Sequence, residues 1–88
     1  MNWPDAVQLI IAEHKHIERK FDRVSCAEWT DLPDTKFRVL AEEVGEIAHA
    51  LNEHDDENLM EEIVQVAAVA LAWLLSDFEY REIEYRYD

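Results

Sequence analysis

A stripe of apolar residues with helical spacing runs between residues 37 and 51. Its members are Phe37, Leu40, Ala41, Val44, Ile47, Ala48 and Leu51. At about 100° per residue these positions share one face of a helix, within a stripe roughly 120° wide. Asp34, shortly ahead of the stripe, is a residue type favoured at a helix N-cap. The pattern therefore predicts a helix that starts near Asp34 and ends at a polar link over residues 52–56.

Two further helices are predicted, one on each side of this helix. The first starts at residues 4–5, because proline is tolerated in the first turn, and its three-four spacing continues to about Val24. Residues 25–33 lose the period and are predicted as a connecting loop. The third helix runs from about residue 57 to residue 76. The tail over 77–88 alternates charged and apolar residues, which indicates either a short fourth helix or a frayed end.

The amino-acid composition agrees with an all-α fold. Only one Gly and two Pro occur among the 88 residues, which leaves little turn chemistry for a multi-stranded sheet. A chain of this length forms one domain with a modest core. We therefore expect a helical bundle of three main helices, in which residues 1–88 make a single domain.

The third helix carries information about assembly. Between Ile63 and Leu75 it is apolar on nearly every side, interrupted only by Gln65. A helix without a polar face needs burial on most sides, and two other helices in a small chain cannot readily enclose it. Several alanines, among them Ala68 and Ala72, would let another helix approach closely. The sequence predicts a bundle completed by homo-oligomerisation, a dimer or larger; a compact monomer with an exposed apolar patch is the alternative.

Charge and cysteine content narrow the classes of partner. The formal net charge is −13, from 21 acidic and 8 basic residues, which argues against a nucleic-acid backbone and against an anionic membrane surface as partners. Cys26 is single, the N-terminus has no basic segment of a signal peptide, and the longest apolar run is about five residues short of a membrane span. We therefore expect a cytoplasmic protein.

Acidic residues at i, i+3 spacing suggest a chemistry for part of this charge. Glu43 and Glu46 lie on the second helix, in a column with the apolar Val39, so we expect both to point inward and Glu42 to face solvent. On the third helix, Glu62 has Gln65 three residues later. Carboxylates on facing helices of a bundle can hold a metal ion. Ligands that are all oxygen favour Mg²⁺, with Mn²⁺ as a second choice.

Residues 36–48, followed by residues 59–66, resemble the MazG family of all-α nucleotide pyrophosphohydrolases. In that family a helix with the pattern L-x-E-E-x-x-E is followed by a helix with the pattern E-E-x-x-D. The resemblance covers residues 36–75. It implies a Mg²⁺-dependent enzyme that hydrolyses a (deoxy)nucleoside triphosphate to the monophosphate and pyrophosphate, in house-cleaning of the nucleotide pool.

The resemblance also implies roles for individual residues. Glu43, Glu46 and Glu62 would be the metal ligands and catalytic groups, one of which could take the proton of the attacking water. The family's final Asp falls on Gln65, which offers a carbonyl oxygen as a metal ligand but no negative charge and no proton acceptor. We therefore expect weaker metal binding than the family pattern would give.

Two residues are candidates for contact with the nucleotide. Lys36, seven residues before Glu43, could reach phosphate oxygens; the alternative is a surface lysine paired with Asp34 or Glu43. Trp29 could stack on a base from the loop; the alternative is an anchor in the core or in a subunit interface.

Two rival functions remain at the level of sequence. The first, prompted by Gln65, is a catalytically impaired relative that binds nucleotide or metal without turnover. The second, prompted by the charge of −13, is an acidic interaction protein such as a DNA mimic. A mimic would spread its carboxylates over the outer surface, whereas an enzyme must gather some of them between helices. The predicted inward column of Glu43 and Glu46 favours the enzyme.

Overall fold

Three helices account for most of the chain, and the third lies between the other two. The computed structural model describes residues 1–20 and 29–84. Helix α1 spans Trp3–Lys20, α2 spans Pro33–Asn52 and α3 spans Asp56–Asp77. Helix α3 packs against both α1 and α2. The prediction of an all-α fold with three main helices is confirmed, and the described residues contain no strand.

Helices α1 and α3 start with a side-chain cap, whereas α2 starts with a proline. Asn2 caps α1 by accepting a hydrogen bond from the Asp5 N–H at 2.9 Å. Asp55 caps α3 by accepting from the Asn58 N–H at 3.1 Å. Helix α2 has no side-chain cap: its N-cap is Leu32 and a proline follows. The predicted N-cap at Asp34 is therefore wrong. Proline lacks one of the N–H groups that a helix start leaves unpaired and it presets the helical φ, so the N-cap lies two residues earlier, at Leu32.

A short link makes α2 and α3 antiparallel neighbours. It consists of Glu53, His54 and Asp55, and it lies within the predicted link. His54 adopts a left-handed conformation with φ 54°, which reverses the chain direction just after a helix end. The Asp55 N–H donates to the Ala50 carbonyl at 3.1 Å, which ties the start of α3 to the end of α2. As a result, the middle of α2 faces the middle of α3, and the start of α2 faces the end of α3.

The core lies where the residues before α2 meet the first half of α2 and the second half of α3. Trp29, Val69 and Ala72 form its buried centre, and partly buried apolar side chains pack against them. Those side chains are Val39, Leu40 and Trp73. Ala50 and Ala68 are also buried, nearer the link. Small residues on α3 thus permit close helix packing within the chain itself.

The buried face of α2 is only partly the apolar stripe. Phe37, Val44 and Leu51 are 61%, 51% and 55% exposed, whereas Lys36 is 1% exposed and Ala50 is buried. Successive residues turn by about 100°, so the face that packs on α3 is displaced from the centre of the stripe toward the column of Lys36 and Ala50. The outer edge of the stripe is therefore left uncovered by this chain.

Helix α3 also keeps apolar residues at its surface. Ile63, Leu74 and Leu75 are each more than half exposed. By length and composition alone α3 could cross a membrane, a property that it shares with the central helices of soluble bundles. Beyond α3, residues 78–84 form neither helix nor strand, so no fourth helix occurs there. The predicted end of the first helix near Val24 and residues 25–28 of the predicted loop, Cys26 among them, lie outside the described residues.

Candidate active site

An amide lies between two carboxylates at the contact of α2 and α3. With its nitrogen toward the carboxylates, the orientation that satisfies its hydrogen bonds, the Gln65 side chain donates to Glu43 Oε2 at 2.9 Å and to Glu62 Oε2 at 3.0 Å. Since both oxygens bond to one nitrogen, they lie within about 6 Å of each other. The antiparallel packing thus brings Glu43 from α2 together with Glu62 and Gln65, as the sequence predicted. We call Glu43 and Glu62 the carboxylate pair.

The carboxylate pair is crowded by negative charge. Partial burial raises the pKa of Glu43, and the charges of Glu62, Glu46, Glu13 and Glu42 raise it further, in that order. Partial burial also raises the pKa of Glu62, followed by the charges of Glu46, Glu61 and Glu13. None of these neighbouring groups is a cation. Because removal from water and like charges both disfavour the ionised form, the site would be stabilised by a positive charge.

Glu46 takes a different place from the one that the sequence predicted. It is exposed, although it acts on the pKa of both members of the carboxylate pair. Three residues correspond to about 300° of helical turn, so Glu46 is offset from Glu43 by about 60° and lies at the edge of the packed face. Its predicted inward orientation is therefore wrong, but it remains near the site. Glu42 is exposed, as predicted.

Glu13 on α1 belongs to the site and was missed by the sequence reasoning. It is partly buried and raises the pKa of both Glu43 and Glu62. A signal was present: Glu13 stands between Ile10 and Ile17 at three-four spacing, at the edge of the apolar face of α1. An acidic residue at the edge of an apolar helix face is expected to point inward on α1 as it is on α2. The site therefore takes carboxylates from all three helices.

An open pocket of about 410 Å³ lies beside the carboxylate pair. Its apolar wall includes Trp29, Val39, Val69 and Ala72, and its polar lining includes Glu13, Asp31, Glu43 and Gln65. A smaller cavity of about 300 Å³ between α1 and α3 shares Glu13 and Gln65 with it. An apolar wall that ends at convergent carboxylates is a common arrangement in ligand sites.

Trp29 serves both the core and the pocket. It is 6% exposed and packs in the core centre, yet part of its surface lines the pocket. Its Nε1–H donates to Asp31 Oδ2 at 2.9 Å, which fixes the orientation of the ring and of the Asp31 carboxylate. The indole thus forms one rigid wall of the pocket.

Lys36 is buried and has anionic and polar partners from α3. Its ammonium donates to the Asp77 carboxylate and, at 3.0 Å, to the Ser76 hydroxyl. The same nitrogen lies 5.1 Å from the centre of the Trp29 ring. We call these contacts the Lys36 junction. The alternative of a surface lysine paired with Asp34 or Glu43 is wrong, because the antiparallel packing places the end of α3 against Lys36. A contact with phosphate would require the ammonium to leave Asp77.

The predicted metal ligands are close to one another, but they do not surround a common point. Among the residues of the two described stretches, no three His, Cys, Asp or Glu side chains are arranged to hold a metal ion. Glu43 and Glu62 nevertheless have oxygens within about 6 Å of each other, and Mg²⁺ takes oxygen ligands at about 2.1 Å. The side chains would have to rearrange for three carboxylates to hold one ion.

These features define a class of protein: an all-helical domain in which glutamates of antiparallel helices gather beside an open pocket. The sequence model of the MazG nucleotide pyrophosphohydrolase domain matches residues 32–81, more than half of the chain. The chain belongs to this family. The match includes α2, the link and α3, and with them Lys36, Ser76 and Asp77, but not Trp29. No curated protein and no solved structure matches the chain.

Proposed function

We propose that this protein is a Mg²⁺-dependent nucleoside triphosphate pyrophosphohydrolase that removes unwanted (deoxy)nucleoside triphosphates from the cytoplasmic pool. Water would attack the α-phosphorus, the bond from this phosphorus to the bridging oxygen would break, and the products would be the monophosphate and pyrophosphate. The observation that carries the proposal is the carboxylate pair, held at the edge of a pocket by Gln65 and without a cation among the groups that shift its pKa values. Membership of the family supplies the reaction class.

The residues of the site fit a hard divalent cation. Their donors are carboxylate and amide oxygens, the ligands that Mg²⁺ and Mn²⁺ prefer, and crowding by like charges disfavours their ionised forms until a cation is near. Glu43, Glu46 and Glu62 would hold the ion, with the carbonyl of Gln65 as a further ligand. When bound, the ion supplies charge neutralisation for the triphosphate.

The side chains of the pocket have their own tasks in this proposal. The apolar wall around Trp29 would take the nucleoside and exclude water from one side of it. One of the three carboxylates, Glu43, Glu46 or Glu62, would accept the proton of the attacking water. The phosphoanhydride bond then breaks as the new phosphorus–oxygen bond forms, and pyrophosphate leaves with the electron pair.

The products test this proposal. A panel of ribo- and deoxyribonucleoside triphosphates is incubated with the protein, with Mg²⁺ or with a chelator, and followed by phosphorus NMR. We expect at least one triphosphate to yield its monophosphate and pyrophosphate only when Mg²⁺ is present. Release of orthophosphate, or no turnover of any triphosphate, would contradict the proposal.

Gln65 favours one second candidate, a relative that binds nucleotide and metal without turnover. A neutral amide at this position removes one unit of charge from a site that must hold a dication. The two candidates differ in one outcome of the panel. The second predicts that Mg²⁺ and a nucleoside triphosphate bind by calorimetry, while no pyrophosphate forms during prolonged incubation.

We further propose that a second copy of the chain covers the exposed apolar side chains of α2 and α3. The argument rests on spacing: Phe37, Val44 and Leu51 recur every seven residues along α2, and all three are more than half exposed. Regular heptad spacing is typical of a helix that packs against another helix along its length. Large apolar residues in such a continuous row are rarely left in water.

Sedimentation velocity at micromolar concentration and without detergent tests this assembly. The wild-type protein should sediment as at least a dimer of its 10.4 kDa chain. Val44→Asp should shift it toward a monomer, because a charge in the middle of the row cannot be buried against a partner. His49→Asp is the matched control, since it adds the same group at an exposed polar position of α2. A folded wild-type monomer, or material that requires detergent, would contradict the proposal.

A further inference from the structure

Gln65 satisfies both members of the carboxylate pair with a single amide group. A primary amide nitrogen carries two hydrogens, and here one faces Glu43 Oε2 and the other faces Glu62 Oε2, at 2.9 and 3.0 Å. Hydrogen bonds to ionised acceptors are stronger than those between neutral groups. The partial positive charge of the amide hydrogens thus occupies the position between the carboxylates where positive charge is most favourable.

This arrangement is incompatible with a cation between the same two carboxylates. N–H groups that point toward the pair would also point toward a bound ion, and like charges repel. The terminal torsion of glutamine has a broad, roughly two-fold profile, so a half turn of the amide has a low intrinsic cost. That half turn exchanges nitrogen for oxygen and presents a ligand atom where a donor had been.

We propose that Gln65 is a positioning residue with two amide orientations: its nitrogen clamps Glu43 and Glu62 together before the cation binds, and its oxygen faces the site afterwards. The cation itself rests on the function proposed above. An Asp at this position would leave three carboxylates facing one another without a donor between them. Gln65 therefore allows the metal-free site to assemble, at the cost of two hydrogen bonds that must break when the ion enters.

The side-chain amide signals of the protein report on these orientations directly. The chain contains two Gln and three Asn, so a ¹⁵N–¹H correlation spectrum shows five NH₂ pairs, and Gln65→Met identifies one of them by its loss. Gln8 is exposed and serves as the internal reference. In the presence of a chelator we expect both Gln65 hydrogens to resonate downfield of those of Gln8 and to exchange more slowly with water. On titration with Mg²⁺ the Gln65 pair should move toward the Gln8 positions, and its exchange should accelerate.

The possible results separate this inference from the proposed function. If the Gln65 and Gln8 pairs coincide in chelator, the clamp does not exist, whatever the enzyme does. If the clamp is present and calorimetry shows Mg²⁺ binding, but the Gln65 pair does not move, the half turn is wrong. If the clamp is present and no Mg²⁺ binds at all, the proposed metal-dependent function fails and the half turn fails with it, while the clamp stands.

Discussion

Helices α2 and α3 meet at two polar sites that contain carboxylates, and the two sites differ in whether a cation accompanies the negative charge. At the Lys36 junction, Asp77 receives hydrogen bonds from the buried ammonium, and chiefly for that reason its pKa is lowered. Two helical turns further along α2, the carboxylate pair shares only the neutral amide of Gln65, and burial with neighbouring charges raises the pKa values of Glu43 and Glu62.

The difference indicates that the two sites along this helix pair have different roles. A lysine placed permanently beside a carboxylate ties the start of α2 to the end of α3, so the charge at this junction supports the fold. At the carboxylate pair the chain gathers like charges at some cost to its own stability. Carboxylates whose pKa values are raised by burial and by like charges beside a pocket are candidates for function. We therefore propose that the Lys36 junction supports the fold and that the carboxylate pair carries the chemistry.

Loss of one member of the carboxylate pair should have the largest effect. We expect Glu43→Gln to reduce Mg²⁺-dependent pyrophosphate release on the order of a hundredfold or more, because charge stabilisation in active sites typically has this magnitude. Circular dichroism should show unchanged helicity. Glu42→Gln, at the adjacent exposed position, is the matched control and should be nearly silent. Equal losses from both variants would show that the wrong face of α2 had been assigned.

The Lys36 junction should respond in stability instead. Asp77→Asn leaves the buried ammonium of Lys36 without an anion, so we expect the midpoint of thermal unfolding to fall by several degrees. Glu79→Gln removes the same charge from an exposed position just beyond the junction and is the control. If Asp77→Asn melts like the wild-type protein, the junction is not a structural contact.

Restoring the acid of the family pattern should sharpen the contrast between the two sites. We expect Gln65→Asp to lower the Mg²⁺ concentration for half-maximal activity by up to about tenfold, since changes around metal ligands commonly alter affinity by 10–100-fold. Gln65→Asn introduces a side chain of the same length as Asp but without its charge, and it should not lower this Mg²⁺ concentration. Unchanged metal dependence in Gln65→Asp, or loss of activity in a protein that still folds, would instead favour a direct contact of Gln65 with the nucleotide.

The two sites should also give opposite dependences of stability on pH in the absence of metal. Glu43 and Glu62 have raised pKa values, so their contribution to the free energy of unfolding is complete below their usual pKa of 4.5 and is lost as the pH rises through the raised values. Asp77 has a lowered pKa, so its contribution is complete above its usual 3.8 and is lost as the pH falls through the lowered value.

Urea unfolding in chelator between pH 7 and pH 3 measures these slopes. We expect the wild-type protein to gain stability as the pH falls toward 4.5 and to lose it at still lower pH. Glu43→Gln should gain less over the first interval, and Asp77→Asn should lose less over the second. If the free energy of unfolding depends on pH in the same way for all three proteins, the two sites do not differ electrostatically as proposed.

The sequence predicts those features of the structure that depend on helical periodicity. Spacing located three helices and the polar link between the second and the third, and it placed Glu43, Glu62 and Gln65 on faces that do meet. Such inferences succeed because residues three and four apart share a helix face in any environment.

What the sequence did not predict depends on how the helices rotate against one another. The packed face of α2 is rotated from the centre of the apolar stripe toward the column of Lys36 and Ala50, so Lys36 is buried and Phe37 is left exposed. Glu46 lies beyond the far edge of that face. The partner of Lys36 is 41 residues away, so no local pattern could identify it. Glu13 required knowledge that α1 packs beside the carboxylate pair. These features depend on tertiary packing, in which the fit between side chains of different helices determines which face of each helix is buried.

The most direct test of whether the carboxylate pair carries the chemistry is to measure which variants still bind a divalent cation. Titration of Mn²⁺, followed by electron paramagnetic resonance of the free ion, compares the wild-type protein with Glu43→Gln and Asp77→Asn. Mn²⁺ prefers the same oxygen ligands as Mg²⁺ and makes binding visible. We expect the wild-type protein and Asp77→Asn to bind the ion with similar affinity and Glu43→Gln to lose that binding. Equal binding by Glu43→Gln, or loss of binding in Asp77→Asn alone, would contradict the assignment of chemistry to the carboxylate pair and structure to the Lys36 junction.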